Sequence, residues 1–121
     1  MSIESLKRKI KNNPLNQESI DKLAERGLRI VYTEMDSYGI AFSDDNGGYT
    51  VIINKGTSEY ERNVTLLHEL LGKEFHGRRL WEPNEYYREE EELLDREAKR
   101  ILSETPQVIS YILSKAEVET K

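Results

Sequence analysis

The sequence predicts an α+β domain in which a small, mostly antiparallel sheet packs against helices. Three segments rich in β-branched and aromatic residues lie close together in the middle of the chain, at 28–33, 38–42 and 49–54. Segments with an apolar residue every three or four positions precede and follow them, which is the periodicity of amphipathic helices. The length of 121 residues is typical of one domain, so both kinds of element are expected to share one core.

Composition and charge exclude several classes of protein. The chain has 18 lysines and arginines against 23 aspartates and glutamates, a net charge of −5, which disfavours binding to a nucleic-acid backbone. No apolar run approaches the roughly 20 residues that cross a bilayer, and residues 1–9 lack the apolar stretch of a signal peptide. The chain has no cysteine, which rules out disulfides and thiolate zinc ligands. We therefore expect a cytoplasmic protein with no nucleic-acid or membrane partner.

Two helices are predicted before the sheet. In the first, Ser2 is the N-cap, and the Asn-Asn-Pro sequence at 12–14 ends the helix. The second runs from about residue 17 to residue 26, and Gly27 suits the position just after its end. The apolar faces of the two helices consist of Ile3, Leu6 and Ile10, and of Ile20, Leu23 and Ala24.

The sheet and the helix that follows it are predicted from turn and cap signals. Residues 44–48 contain an Asn-Gly pair, which tolerates the positive φ of tight turns and predicts a hairpin between the second and third strands. The loop at 55–58 ends in a helix cap, and the helix after it extends to about His76, where Gly77 closes it. Its apolar face consists of Val64, Leu67, Leu71 and Phe75, which are spaced to pack on the sheet.

Two more helices complete the chain. An acidic helix runs from about Glu85 to Ser103, and Thr105 caps a last helix that has Pro106 at its first position. Residues 116–121 are expected to be loose. The single domain then divides into an N-terminal helical segment (1–27), a core (28–103), and a C-terminal helix and tail (104–121).

The segment 65–76 has the clearest potential for chemistry. In a helical His-Glu-x-x-His motif, two histidines four residues apart bind one zinc ion, and the glutamate between them is the general base that activates the bound water. His68 and Glu69 match the first half of this motif. Gly72 occupies the position of the second histidine, and His76 lies eight residues after His68, about 12 Å along a helix. The spacing therefore argues against an intact zinc site of this type.

The order of elements around this motif is informative over about residues 30–102. A hairpin, the sequence Ile-Ile-Asn-Lys, a short loop and a helix with Thr-Leu-Leu-His-Glu-Leu are followed by an acidic helix. This order resembles the ImmA/IrrE family of zinc metallopeptidase-like proteins and the smallest gluzincins related to it. The resemblance implies a zincin-like fold, zinc as cofactor, His68 and Glu91 as metal ligands, and Glu69 as general base. With Gly72 in place of the second histidine, the implied zinc has fewer protein ligands than in the family pattern.

Other candidate residues have two interpretations each. Glu91 stands in a run of four glutamates, which is usually a solvated helix face, but it lies three residues before Leu94 on the apolar line of that helix. Tyr86 and Tyr87 are candidates for stabilising an oxyanion, or are packing residues. Lys73 lies one residue away from the face that a metal site would occupy, and we expect it in solvent.

Three functions are compatible with these residues. The first is a zinc metallopeptidase, in which Glu69 takes a proton from the metal-bound water. The second is an inactive descendant that keeps the cleft and binds or regulates a peptide or protein. The third is a plain protein-interaction domain. For the first two, we expect a cleft between the edge strand of the sheet and the His68 helix, where an extended peptide can pair with the strand.

Overall fold

A computed structural model describes residues 15–75 and 85–121. The predicted first helix, His76 and the loop after it lie outside these residues, as do the side chains of Tyr86 and Tyr87. The described elements, in chain order, are α1 (Gln17–Arg26), β1 (Leu28–Thr33), β2 (Gly39–Ser43), β3 (Tyr49–Asn54), α2 (Glu59–Phe75), α3 (Glu85–Glu104), α4 (Gln107–Lys115) and β4 (Glu117–Thr120). None of the described helices is long and apolar enough to cross a bilayer.

The predicted hairpin is confirmed. Strands β2 and β3 pair in the antiparallel direction, with Ile40 opposite Ile52. In the turn, the Asp44 carboxylate accepts hydrogen bonds from the amides of Asn46 at 2.9 Å and Gly48 at 2.8 Å. Gly47 has a φ of 85°, a conformation that glycine adopts at little cost.

The sheet is mixed rather than mostly antiparallel. Its strand order is β2-β3-β1-β4, and β1 runs parallel to both β3 and β4. The α+β class is confirmed, but β1 is not part of a meander, because β3 lies between β1 and β2. The parallel register places Ile30 beside Val51 and Tyr32 beside Ile53, so alternate residues of both strands form one apolar surface. Local sequence patterns identify strands but do not specify this order.

The C-terminal residues form a strand, so the expectation that 116–121 is loose was wrong. Strand β4 pairs with β1, and the Arg29 guanidinium donates to both carboxylate oxygens of Glu119 at 2.8 and 2.9 Å. The Lys121 amide also donates to the Tyr32 carbonyl at 2.8 Å. A charged segment such as Glu-Val-Glu-Thr has little strand propensity of its own. It becomes a strand because β1 offers it an unpaired edge.

One core joins the helices to a single face of the sheet. Its strand residues are Leu28, Ile30, Tyr49, Val51 and Ile53, and its helix residues are Ile20, Val64, Leu66, Leu67, Leu70, Leu71, Leu94, Ala98, Ile101, Val108, Ile109 and Ile112. Helix α2 begins as predicted, because the Ser58 hydroxyl accepts a hydrogen bond from the Glu61 amide at 3.1 Å. The cap of α4 differs from the prediction, because Pro106 precedes the helix and makes no side-chain capping bond.

Gly39 allows β2 to lie close against α2. A Cβ atom at this position would lie 2.6 Å from Cγ2 of Thr65 and 2.7 Å from the carbonyl oxygen of Ile52, both far inside van der Waals contact. Only a residue without a side chain therefore fits here unless the strand moves. This close approach brings the start of β2 beside the face of α2 that contains His68.

Candidate functional site

A cleft of about 520 Å³ lies where we expected it, between the edge strand and the His68 helix. Ser37, Tyr38 and Gly39 form one wall at the start of β2. The other walls belong to α2 and α3, which contribute Tyr60, Glu61, Val64, Thr65, His68, Glu69, Glu91, Asp95 and Lys99. The three predicted site residues, His68, Glu69 and Glu91, therefore line one cleft.

His68 is held between two carboxylates of α3. Its Nε2 atom contacts Oε2 of Glu91, and its Nδ1 atom lies 3.7 Å from Oδ1 of Asp95. The other oxygen of Asp95 lies 3.0 Å from the Lys99 ammonium, one turn further along α3. The spacing of 91, 95 and 99 places all three side chains on the same helix face. Glu91, His68, Asp95 and Lys99 thus form a row of neighbouring ionisable groups of alternating charge type.

The pKa values of the ionisable groups in the cleft depend on burial and on the charges of these neighbours. Burial lowers the pKa of His68, but the hydrogen bond to Glu91 and the negative charges of Glu91, Glu69 and Asp95 outweigh it, so that the pKa is raised overall. Burial also raises the pKa of Glu69, against the opposing charge of His68. Behind the cleft, burial and then the charge of Glu69 raise the pKa of the Tyr49 phenol, which donates to the Glu69 carbonyl at 2.8 Å.

The raised pKa of His68 predicts a pH dependence with a definite sign. Because the folded value lies above the unfolded value of about 6.5, the pairing of the imidazolium stabilises the fold fully below that pH. This stabilisation is lost as the pH rises through the higher, folded value. We expect an NMR titration of the imidazole to give a pKa above 6.5, with His68→Gln assigning the signal because the chain has only two histidines. A pKa at or below 6.5 would contradict the observed pairing with Glu91.

The donor set does not fit a zinc ion of the His-Glu-x-x-His type. Gly72 is buried on α2 at the second histidine's position and has no side-chain donor. Among the side chains that the structure describes, no group of three histidine, aspartate or glutamate residues is arranged to hold a metal ion. His68 and Glu91 lie together and contact each other directly.

Some residues of the cleft were not predicted. Tyr38 and Tyr60 lie at its mouth, with 61% and 55% of their surfaces exposed, and no local pattern marked them. Asp95 was detectable from the sequence, because it follows Glu91 by one helical turn and therefore lies on the same helix face. Glu90 is the most buried of the four glutamates at 89–92, with 1% of its surface exposed, whereas the sequence predicted that Glu91 faces inward.

Lys73 lies away from the cleft. Its ammonium is 5.8 Å from the centroid of the Tyr49 ring, which is within the range of a cation–π contact. The residue is half-buried there, so the expectation that Lys73 lies in solvent is met only in part.

Comparison with protein-family models identifies the family. The model of a peptidase family, described as the IrrE N-terminal-like domain, matches residues 23–113, which is more than half of the chain. The chain belongs to this family. As an IrrE N-terminal-like domain it is metallopeptidase-like, and the family implies the zincin-like fold that the sequence resemblance predicted. No curated protein and no solved structure matches the chain.

Proposed function

We propose that this IrrE N-terminal-like domain binds an extended peptide or protein segment in its cleft without cleaving it. One observation supports this above all: Gly72 supplies no donor where the family motif has a histidine. The cleft is retained and the metal centre is incomplete. A cytoplasmic location, expected from the cysteine-free composition, is part of the same proposal.

His68 and Glu91 together supply two donors, whereas catalytic zinc sites use three protein ligands. The described residues provide no third side-chain donor at Gly72, and they pair the imidazole with the Glu91 carboxylate. We propose that His68 and Lys99 balance the negative charges of Glu91 and Asp95, as a metal ion would do in an intact site.

Peptide binding is supported by the edge strand and by the charge of the cleft. Strand β2 pairs only with β3 among the described strands, so its other edge can accept an extended segment through backbone hydrogen bonds. Four carboxyl groups line the cleft against two basic groups. We therefore propose that the bound segment has a lysine or arginine side chain at this point.

A charge reversal in the cleft tests this proposal. The probe is the acetylated and amidated peptide Ala-Ala-Lys-Ala-Ala, followed by amide shifts in an NMR titration. We expect shifts in β2 and along α2, and a dissociation constant about fivefold weaker for Glu61→Lys, because an attraction becomes a repulsion. Glu61→Lys keeps the backbone amide that donates to the Ser58 hydroxyl at 3.1 Å, and it removes only the longer hydrogen bond, 3.2 Å, that this exposed hydroxyl donates to the Glu61 carboxylate.

The matched control is Glu25→Lys, which changes the net charge equally at an exposed position on α1. It should leave the affinity within about twofold. Equal weakening by both variants would mean that the peptide responds only to net charge. An absence of shifts in β2 would contradict binding at this edge.

Metal-dependent peptide hydrolysis is the second candidate, because Glu69 lies in the same cleft as His68 and Glu91. It requires a donor in addition to those two side chains. Protein purified without chelator that contained stoichiometric zinc, lost in His68→Ala, would support this candidate. If the protein took up no zinc when zinc was added, metal-dependent hydrolysis would be ruled out.

A further inference from the structure

A second depression adjoins the cleft near the N-terminal end of α2. It has a volume of about 570 Å³ and lies between the start of α2 and the end of α3. Its lining consists of Glu59, Tyr60, Asn63, Lys99, Leu102, Ser103 and Pro106. Tyr60 and Lys99 line both the cleft and this depression, so the two form one groove along the seam between the helices.

The two parts of this groove differ in chemistry. The cleft contains four carboxyl groups, whereas the depression has one, on Glu59, with the Lys99 ammonium nearby. Leu102, Pro106 and the exposed ring of Tyr60 give the depression a mainly apolar lining. A charged side chain therefore suits the cleft, and an apolar side chain suits the depression.

We propose that the depression is a second subsite for the same extended peptide, where it takes an apolar side chain; this rests on the peptide binding proposed above. His68 and Tyr60 are eight residues apart on α2, which is about 12 Å at 1.5 Å per residue. An extended peptide rises about 3.3 Å per residue, so about four residues bridge this distance. The ligand is then a segment in which a basic residue and an apolar residue are separated by about four positions.

The test uses two nine-residue peptides that differ only at their ends. Both have a central lysine among alanines, and one has leucine at each end, so that either chain direction places a leucine four residues from the lysine. We expect the leucine-ended peptide to bind about tenfold more tightly than the alanine-ended one, since burying a leucine side chain is favourable. The amide shifts that it causes should extend to residues 59–63 and 102–105.

A matched pair of variants tests whether the leucine side chain binds in the depression. Ser103→Trp fills the depression and should abolish the tenfold difference between the peptides. Ser110→Trp introduces the same ring at an exposed position of α4 outside the groove and should retain the difference. The comparison of the two peptides on the unmodified protein stands even if a variant fails to fold.

The outcomes separate this inference from the proposed function. Binding of both peptides with equal affinity would overturn the second subsite and leave the cleft proposal intact. A leucine gain that persisted in Ser103→Trp would also overturn it. Binding of neither peptide would overturn the proposed function, and the subsite with it.

Discussion

Replacing Gly72 with histidine should create a tight zinc site in this protein. The new side chain stands four residues after His68, on the same face of α2, and Glu91 already lies against His68. Three donors would then be available where the wild type has two. Since loss of partners that only orient zinc ligands costs 10–100-fold in affinity, a third direct ligand should raise zinc affinity by at least about 100-fold. Isothermal titration with zinc at neutral pH measures this.

Gly72→Ala is the matched control for this experiment. It removes the same helix-weakening glycine and adds no donor, so we expect no gain in zinc affinity. The double variant His68→Ala, Gly72→His should lose the gain again, because two donors remain. If Gly72→His bound zinc no better than Gly72→Ala, the placement of residue 72 on the His68 face of α2 would be wrong.

Truncating Leu67 in α2 should strongly destabilise the fold. Its side chain is 0% exposed and belongs to the core that joins this helix to the sheet. Leucine-to-alanine changes at such positions cost about 3 kcal/mol, because transfer energy is lost and a cavity remains. This is a large part of the 5–15 kcal/mol that stabilises a typical domain. Denaturant unfolding followed by circular dichroism measures the free energy.

Leu113→Ala on α4 is the control with the same chemical change. Leu113 is only partly buried at the edge of the core, so its truncation should cost less than half as much. Similar losses for the two variants would contradict the central position of Leu67. The Leu67 loss bears on the site as well, because the same turn of α2 places His68 in the cleft.

Local signals were sufficient to predict most elements of this fold. The predicted limits of α1, β1 and β3 agree with the observed ones, because caps, turn glycines and apolar periodicity act within a few residues. Strand β4 and the parallel pairings of β1 were not predictable in this way. They depend on which edges and apolar faces remain available once the helices have packed.

The candidate site, like the fold, was predictable from the sequence only in part. The motif around His68 and Glu69, the family resemblance and the position of Glu91 came from the sequence alone, as did the absence of a second histidine at Gly72. The tyrosines at the mouth of the cleft are distant from that motif in sequence, so no spacing rule could select them.

The sequence by itself determined which donors the protein has: one histidine and its neighbouring glutamate, a helix of carboxylates, and no thiol. Tertiary structure decided how those donors are used. The packing of α2 against α3 brings His68 into contact with Glu91 and near Asp95, and Gly39 lets the edge strand close the cleft around them. Composition is a property of the chain, whereas the distance between two side chains on different helices depends on how the whole core packs.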